Sequence, residues 1–208
     1  MTIYIMAGIE FTFEQIAELI SALSPILIAF FLFMLTCMNQ NFKGLVFIAG
    51  AILALFINMP IMNSIGSNKL PDASASCSIV DMGHITGFNS PSNSTLFIAF
   101  TIAYLFIPMF YNNQLNYPVI IILLGLLALD SYARVKNKCT TISGSVLGGA
   151  IGFFLGWLWF SIFQVAGADS LLYFNDIDSN AVRCSRPAKQ NFKCSVYKDG
   201  QLVATNIA

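Results

Sequence analysis

Charged residues are missing from four long stretches of this chain, and those gaps limit its fold more than any motif does. No Asp, Glu, Lys or Arg occurs in Leu19–Phe42 (24 residues), Gly44–Asn68 (25), Met82–Leu129 (48) or Cys139–Ala168 (30). A helix that crosses a bilayer needs about 20 predominantly apolar residues. Three of the runs each hold one span, and the longest holds two. The 208-residue chain is 57% hydrophobic and 10% charged, with a mean hydropathy of +0.74. A soluble domain carries roughly 25% charged residues. Ten Lys/Arg balance ten Asp/Glu, which argues against a basic nucleic-acid binder and against a highly polar disordered chain. The expected fold class is all-α, a polytopic transmembrane helical bundle of about five spans over residues 1–168. Residues 169–208 read as a soluble C-terminal tail with a short β-hairpin appendage.

The spans are predicted near Leu19–Met38, Gly44–Met62, Ser94–Phe110, Tyr117–Tyr132 and Ser143–Val165. Thr12 and Gln15 are spaced as a capping box for a helix starting near Phe13. The first basic residue is Lys43, and Glu10, Glu14 and Glu18 precede it, so the first span is expected to act as an uncleaved insertion signal. Asn63–Asn93 reads as a long polar loop, and Arg134–Lys138 as a basic one. In the tail, Phe192–Tyr197 and Gln201–Thr205 alternate with a period of two around Asp199-Gly200, a hairpin signature. With five spans, the N-terminus, Asn63–Asn93 and Ser131–Ile142 share one side. Lys43, the 112–116 turn and the tail share the other. The tail side carries six Lys/Arg and the loop side four, which favours a cytosolic tail.

Gly144, Gly148, Gly152 and Gly156 recur every four residues and so line one face of the fifth span. Small residues at that spacing let another backbone approach closely. Packing within the monomer is favoured over packing between copies.

Two loops on the common side carry the remaining signal. Lys69-Leu70-Pro71 precedes Ser90-Pro91-Ser92-Asn93-Ser94. Then come Ser131-Tyr132-Ala133-Arg134, Thr140 and Ser145-Val146-Leu147-Gly148-Gly149. This order resembles the type-2 phosphatidic acid phosphatase superfamily, whose motifs run Lys-x6-Arg-Pro, Pro-Ser-Gly-His and Ser-Arg-x5-His-x3-Asp before a glycine-rich helix. The resemblance spans Lys69–Gly156. Lys69 and Pro71 stand for the first motif, although Leu70 replaces its arginine. Pro91 and Ser92 match the second, with Asn93 and Ser94 where Gly and His belong. Arg134 matches the third, with Thr140 at the nucleophile and Gly144 or Ser145 at its aspartate.

The resemblance implies a reaction through a phosphohistidine, with a second histidine protonating the leaving alcohol. The chain has one histidine, His84, outside both positions. It is therefore expected to be a non-enzymatic relative with a structural or scaffolding role. Alternatives from other classes are an active lipid-phosphate phosphatase with an altered site and a small transporter or channel subunit. The last is weakened because no span carries a charge near its middle; Asn58 is the main polar residue there.

Arg134 lies four residues after Asp130, a spacing that permits an ion pair on one helix. The other reading groups Lys69, Arg134, Lys136 and Lys138 as a site for an anion or lipid phosphate. No cofactor is expected, nor a metal site: His84 and Asp81 stand without a third ligand. Cys77 and Cys139 lie on the same side and can pair if that side is oxidising; Cys184 and Cys194 belong to the tail and Cys37 to a span. Membrane lipids are the expected partners, with a protein partner for the tail and no nucleic acid. The run Cys184–Gly200 is similar to tails on membrane proteins of large DNA viruses. That likeness implies a virion inner-membrane location, with the tail docking a capsid layer.

Overall fold

A computed structural model describes residues 13–68, 77, 88–173, 193–198 and 201–207. Five helices follow one another: α1 (Phe13–Asn39), α2 (Lys43–Ile65), α3 (Asn93–Tyr111), α4 (Tyr117–Lys136) and α5 (Ile142–Val165). All five are long and apolar enough to cross a membrane. At ~1.5 Å per residue the shortest is ~28 Å long, close to the ~30 Å hydrocarbon core of a bilayer. The chain is thus a multi-pass helical membrane protein in its architecture.

Local chemistry sets the helix ends. Ser92 caps α3 by accepting from the Thr95 amide, and Thr141 caps α5 by accepting from the Gly144 amide at 3.1 Å. Asn116 caps α4 by accepting from the Val119 amide, with Pro118 just behind it in the first turn. Gly66 stops α2 in the left-handed region at φ 63°, donating its amide to Met62. The sequence places the end of the fourth span at Tyr132, where the apolar pattern stops. The helix continues to Lys136, and Arg134 and Lys136 occupy its last turn. Cations there suit the negative end of the helix dipole. Arg134 is therefore a helical residue, not the first residue of a basic loop.

Helix α3 is the axis of the bundle. Eighty-three per cent of its membrane-spanning window is buried, against 22–33% for the other four helices. Those four surround it and turn apolar side chains such as Phe30, Ile121, Val146 and Phe153 outward. Without water outside, that outward apolar surface is the lipid-facing one. In the middle of the bundle Phe47 of α2 meets Phe97 edge-on at 5.9 Å and Tyr104 at 5.6 Å, and Phe100 stacks on Tyr104.

The glycine stripe of α5 lies against α3. A Cβ on Gly148 would stand 2.7 Å from the Ser92 carbonyl oxygen; one on Gly152 would overlap the Leu96 carbonyl, and one on Gly156 would meet that of Phe100. The stripe serves packing inside the monomer, and it lets α3 and α5 run backbone to backbone.

The connections define two ends of the bundle. The loop end holds the segment after α2 and the 137–141 turn. The turn end holds the 40–42 and 112–116 turns and the segment after α5, including a short 3-10 turn at Asp169–Leu171. Ile177–Ala208 form a separate compact unit.

Candidate functional site

Several of the side chains singled out by the sequence meet at the loop end, and a carboxylate is at their centre. Asp130 of α4 is completely buried. Its Oδ1 accepts from Ser21 of α1 at 2.8 Å, from Ser94 of α3 at 2.8 Å and from Nε of Arg134 at 3.0 Å. Its Oδ2 faces Thr95 Oγ1 at 3.1 Å. Thr95 Oγ1 also lies 3.0 Å from Ser92 Oγ, towards which it donates, and 3.3 Å from Ser145 Oγ, where either hydroxyl can be the donor. The junction thus joins α1, α3, α4 and α5 through one charge. A lone carboxylate within a span is very costly, and partners on every side are what make it tolerable.

Arg134 is the cation of this junction, and its side chain is 4% exposed. The ion pair with Asp130 expected from the four-residue spacing is present. On the far side of Arg134, towards Glu18, Ser21 and Asn137, lies a cavity of about 10 Å³. That is room for about one water molecule, far less than a phosphate ester requires.

Thr140, at the nucleophile position of the resemblance, is also buried and donates to the Asn89 carbonyl at 2.8 Å. Asn89 is held in turn: its amide donates to the Ser67 carbonyl, and its side chain accepts from Ser67 Oγ. Ser92 donates its amide to the Gly144 carbonyl at 3.1 Å, and Pro91 follows a cis peptide bond from Ser90. Ser94, at the second histidine position, is a donor to Asp130. Asn58 of α2 donates to Asn93 Oδ1 at 2.7 Å and to the Pro91 carbonyl at 3.3 Å, so it braces the start of α3.

Ser92, Ser94, Arg134, Thr140 and Gly144 therefore converge at one end. Lys136 does not join Arg134. Two residues apart on a helix point to different faces, and Lys136 lines a separate groove between α4 and α5. Lys138 sits in the following turn at φ 57°. Lys69, Pro71, Asp81 and His84 lie outside the described residues. Among the described residues there is no group of three or more His, Cys, Asp or Glu that could hold a metal ion. Cys77 is bonded to Cys139, which ties the segment after α2 to the turn between α4 and α5. Cys37 is a free thiol on the outer face of α1, and the tail position Cys184 lies outside the described residues.

The sequence pairs Asp130 with Arg134 alone, through their four-residue spacing. The three hydroxyls around it are additional. Their signal was present, since Ser21, Ser94 and Thr95 are hydroxyl residues inside otherwise apolar spans. It could not be read without knowing which helix faces meet.

The class these observations define is a five-helix, multi-pass membrane protein with a buried ionic junction at one end. Searches against protein families, curated proteins and solved structures find no match for the chain.

Proposed function

We propose that the chain is a non-catalytic integral membrane protein with a lipid-phosphatase-like arrangement and a structural, scaffolding role. The observation that carries this reading is the buried junction at Asp130. The arginine that the resemblance assigns to phosphate is committed to a carboxylate four residues away, inside a space with no room for a phosphate ester. The hydroxyls at the two histidine positions are committed to Asp130 and to the Asn89 carbonyl. These positions hold helices together, which is a scaffold's use of them.

The tail completes the reading. Antiparallel pairing of Lys193–Lys198 with Gln201–Ile207 supports a hairpin there, as a unit separate from the bundle. Such a hairpin offers an edge for a protein layer to dock on, a capsid in the virion inner-membrane reading. The Cys77–Cys139 bond favours an oxidising compartment at the loop end, and α5 leaves the bundle at the opposite end, in keeping with a cytosolic-side tail.

The test is phosphate release. The full chain, purified in detergent, is assayed on phosphatidic acid and on a pyrophosphorylated lipid. Release at the level of the detergent blank is expected from protein with an intact thermal transition. Release above the blank that is abolished by Thr140→Val would establish a working site and end the structural reading.

A further inference from the structure

A groove of about 620 Å³ opens on the outside of the bundle, between the second half of α4 and the start of α5. That volume falls within the ~300–1,000 Å³ of small-molecule sites. Leu127, Ser131 and Lys136 of α4 form one wall, Val146 and Gly149 of α5 the other, and Thr95 of α3 lies at the back. Its rim is exposed to the surrounding lipid, with Tyr132, Ile142 and Val146 each more than half exposed.

The groove has a direction. Along α4 it runs from Leu127 to Lys136, nine residues or ~14 Å of helix. Half the hydrocarbon core of a bilayer is ~15 Å, so the groove covers about one leaflet. Its deep part is apolar. Its outer part, at the last turn of α4, carries Lys136, whose ammonium lies 5.8 Å from the centre of the Tyr132 ring. Lysine and tyrosine at a span end mark the headgroup level.

Between these two levels is a hydroxyl. Ser145 donates to Ser131 Oγ at 3.0 Å. Ser131 keeps its own proton for a further acceptor. From the bilayer core outward, the groove therefore presents apolar wall, hydroxyl donor and cation. That is the order of acyl chain, ester carbonyl and phosphate in a glycerophospholipid.

We propose that this groove binds one anionic glycerophospholipid of the surrounding bilayer, with an acyl chain between α4 and α5, the ester carbonyl on Ser131 and the phosphate on Lys136. The lipid acts as a filler between two helices that touch little along this edge. The site is separate from the Arg134 cavity and holds whether or not the chain has catalytic activity.

Native mass spectrometry of the full chain in detergent tests it, with equal phosphatidylglycerol and phosphatidylcholine added. One tightly retained lipid is expected, with phosphatidylglycerol preferred. Lys136→Gln should reduce that preference about fivefold, the effect of one lysine on an anionic lipid. Gly149→Leu should abolish retention of both lipids. A Cβ there meets only Thr95 Cγ2, at 3.9 Å, so the added atoms enter the groove and not the backbone of α3. If Gly149→Leu lowers the thermal transition, Val146→Trp fills the groove from its exposed rim and should have the same effect. Glycerol phosphate in excess should leave the lipid in place; displacement by it would mean a site for free phosphate and overturn the proposal. Retention unchanged in both groove-filling variants would overturn it as well.

Discussion

The two ends of the bundle are held in different ways. At the loop end a buried carboxylate collects hydroxyls and a guanidinium from three helices, and a disulfide fastens the loop beside it. At the turn end the fastening is lighter. Tyr173, just after α5, donates to the Leu32 carbonyl at 2.8 Å and lies 3.1 Å from Thr36 Oγ1. Thr36 in turn accepts from the Gly44 amide at 2.6 Å. Leu172 is buried beside it, within the same core as Phe47 and Tyr104. In a bilayer the hydrophobic effect does not drive one helix onto another. Direction and register then come from close packing and from polar groups that have to find partners. The loop end should be all-or-none, because each partner removed leaves a buried charge. The turn end should degrade by small steps.

The largest effect is expected at Arg134. Its replacement by alanine leaves the Asp130 carboxyl buried without its cation, a loss of about 3–5 kcal/mol. Unfolding of the reduced-volume variant in a detergent or dodecyl sulfate titration measures it. Asp130→Leu combined with Arg134→Leu should recover much of the loss, since no charge is stranded. A double variant as unstable as Arg134→Ala would show that the junction acts through shape rather than charge.

Breaking the disulfide is expected to cost about 2–4 kcal/mol, through the 62-residue separation it closes. Cys139→Ser and reductant on the native chain should lower the thermal transition equally. Reductant should add nothing to the variant. An unaltered transition on both counts would remove the disulfide from the account of the loop end.

Along α5 the comparison can be made graded. Gly152→Val drives side-chain atoms into the Leu96 carbonyl of α3, overpacking worth about 1–3 kcal/mol. Gly125→Ala on α4 meets nothing within 4 Å and should stabilise, by up to ~1 kcal/mol through helix propensity. Thermal transitions of opposite sign for these two glycine substitutions are the expected result. Equal losses would mean that the close approach of α5 to α3 does not set the need for glycine.

Much of the bundle was legible because the relevant physics is one-dimensional. A run without charge has to be long enough to cross a bilayer, and that condition located all five spans, although α1 starts at Phe13, ahead of its charge-free run. The glycine repeat was legible for the same reason, since a spacing of four fixes a face. The Asp130–Arg134 pair could be read from one helix alone. What could not be read needs two helices at once. Nothing in the spacing of Ser21, 109 residues before Asp130, says that the two meet. The groove beside Lys136 was equally hidden, because it exists only through the separation of α4 and α5. The continuation of α4 past Tyr132 was missed because hydropathy reports where the membrane ends, not where the helix does.

The smallest expected effect is at the turn end and carries a pH signature. Tyr173→Phe removes the hydroxyl that bonds Leu32 and faces Thr36, a loss of about 1 kcal/mol. Burial pushes the Tyr173 phenol above its ordinary value of 10.0, against the hydrogen bond with Thr36, which pulls it down. The folded protein thus holds this proton more tightly than the unfolded chain, whose tyrosines titrate near ~10. The contribution of the phenol is complete below that pH and is lost as pH rises through the folded value. The gap in thermal transition between the native chain and Tyr173→Phe should therefore be constant from neutral to mildly alkaline pH and close above it. A gap that widens above pH ~10 would mean that the ionised phenol is the better-held form. The contact with Thr36, and not burial, would then govern the turn end.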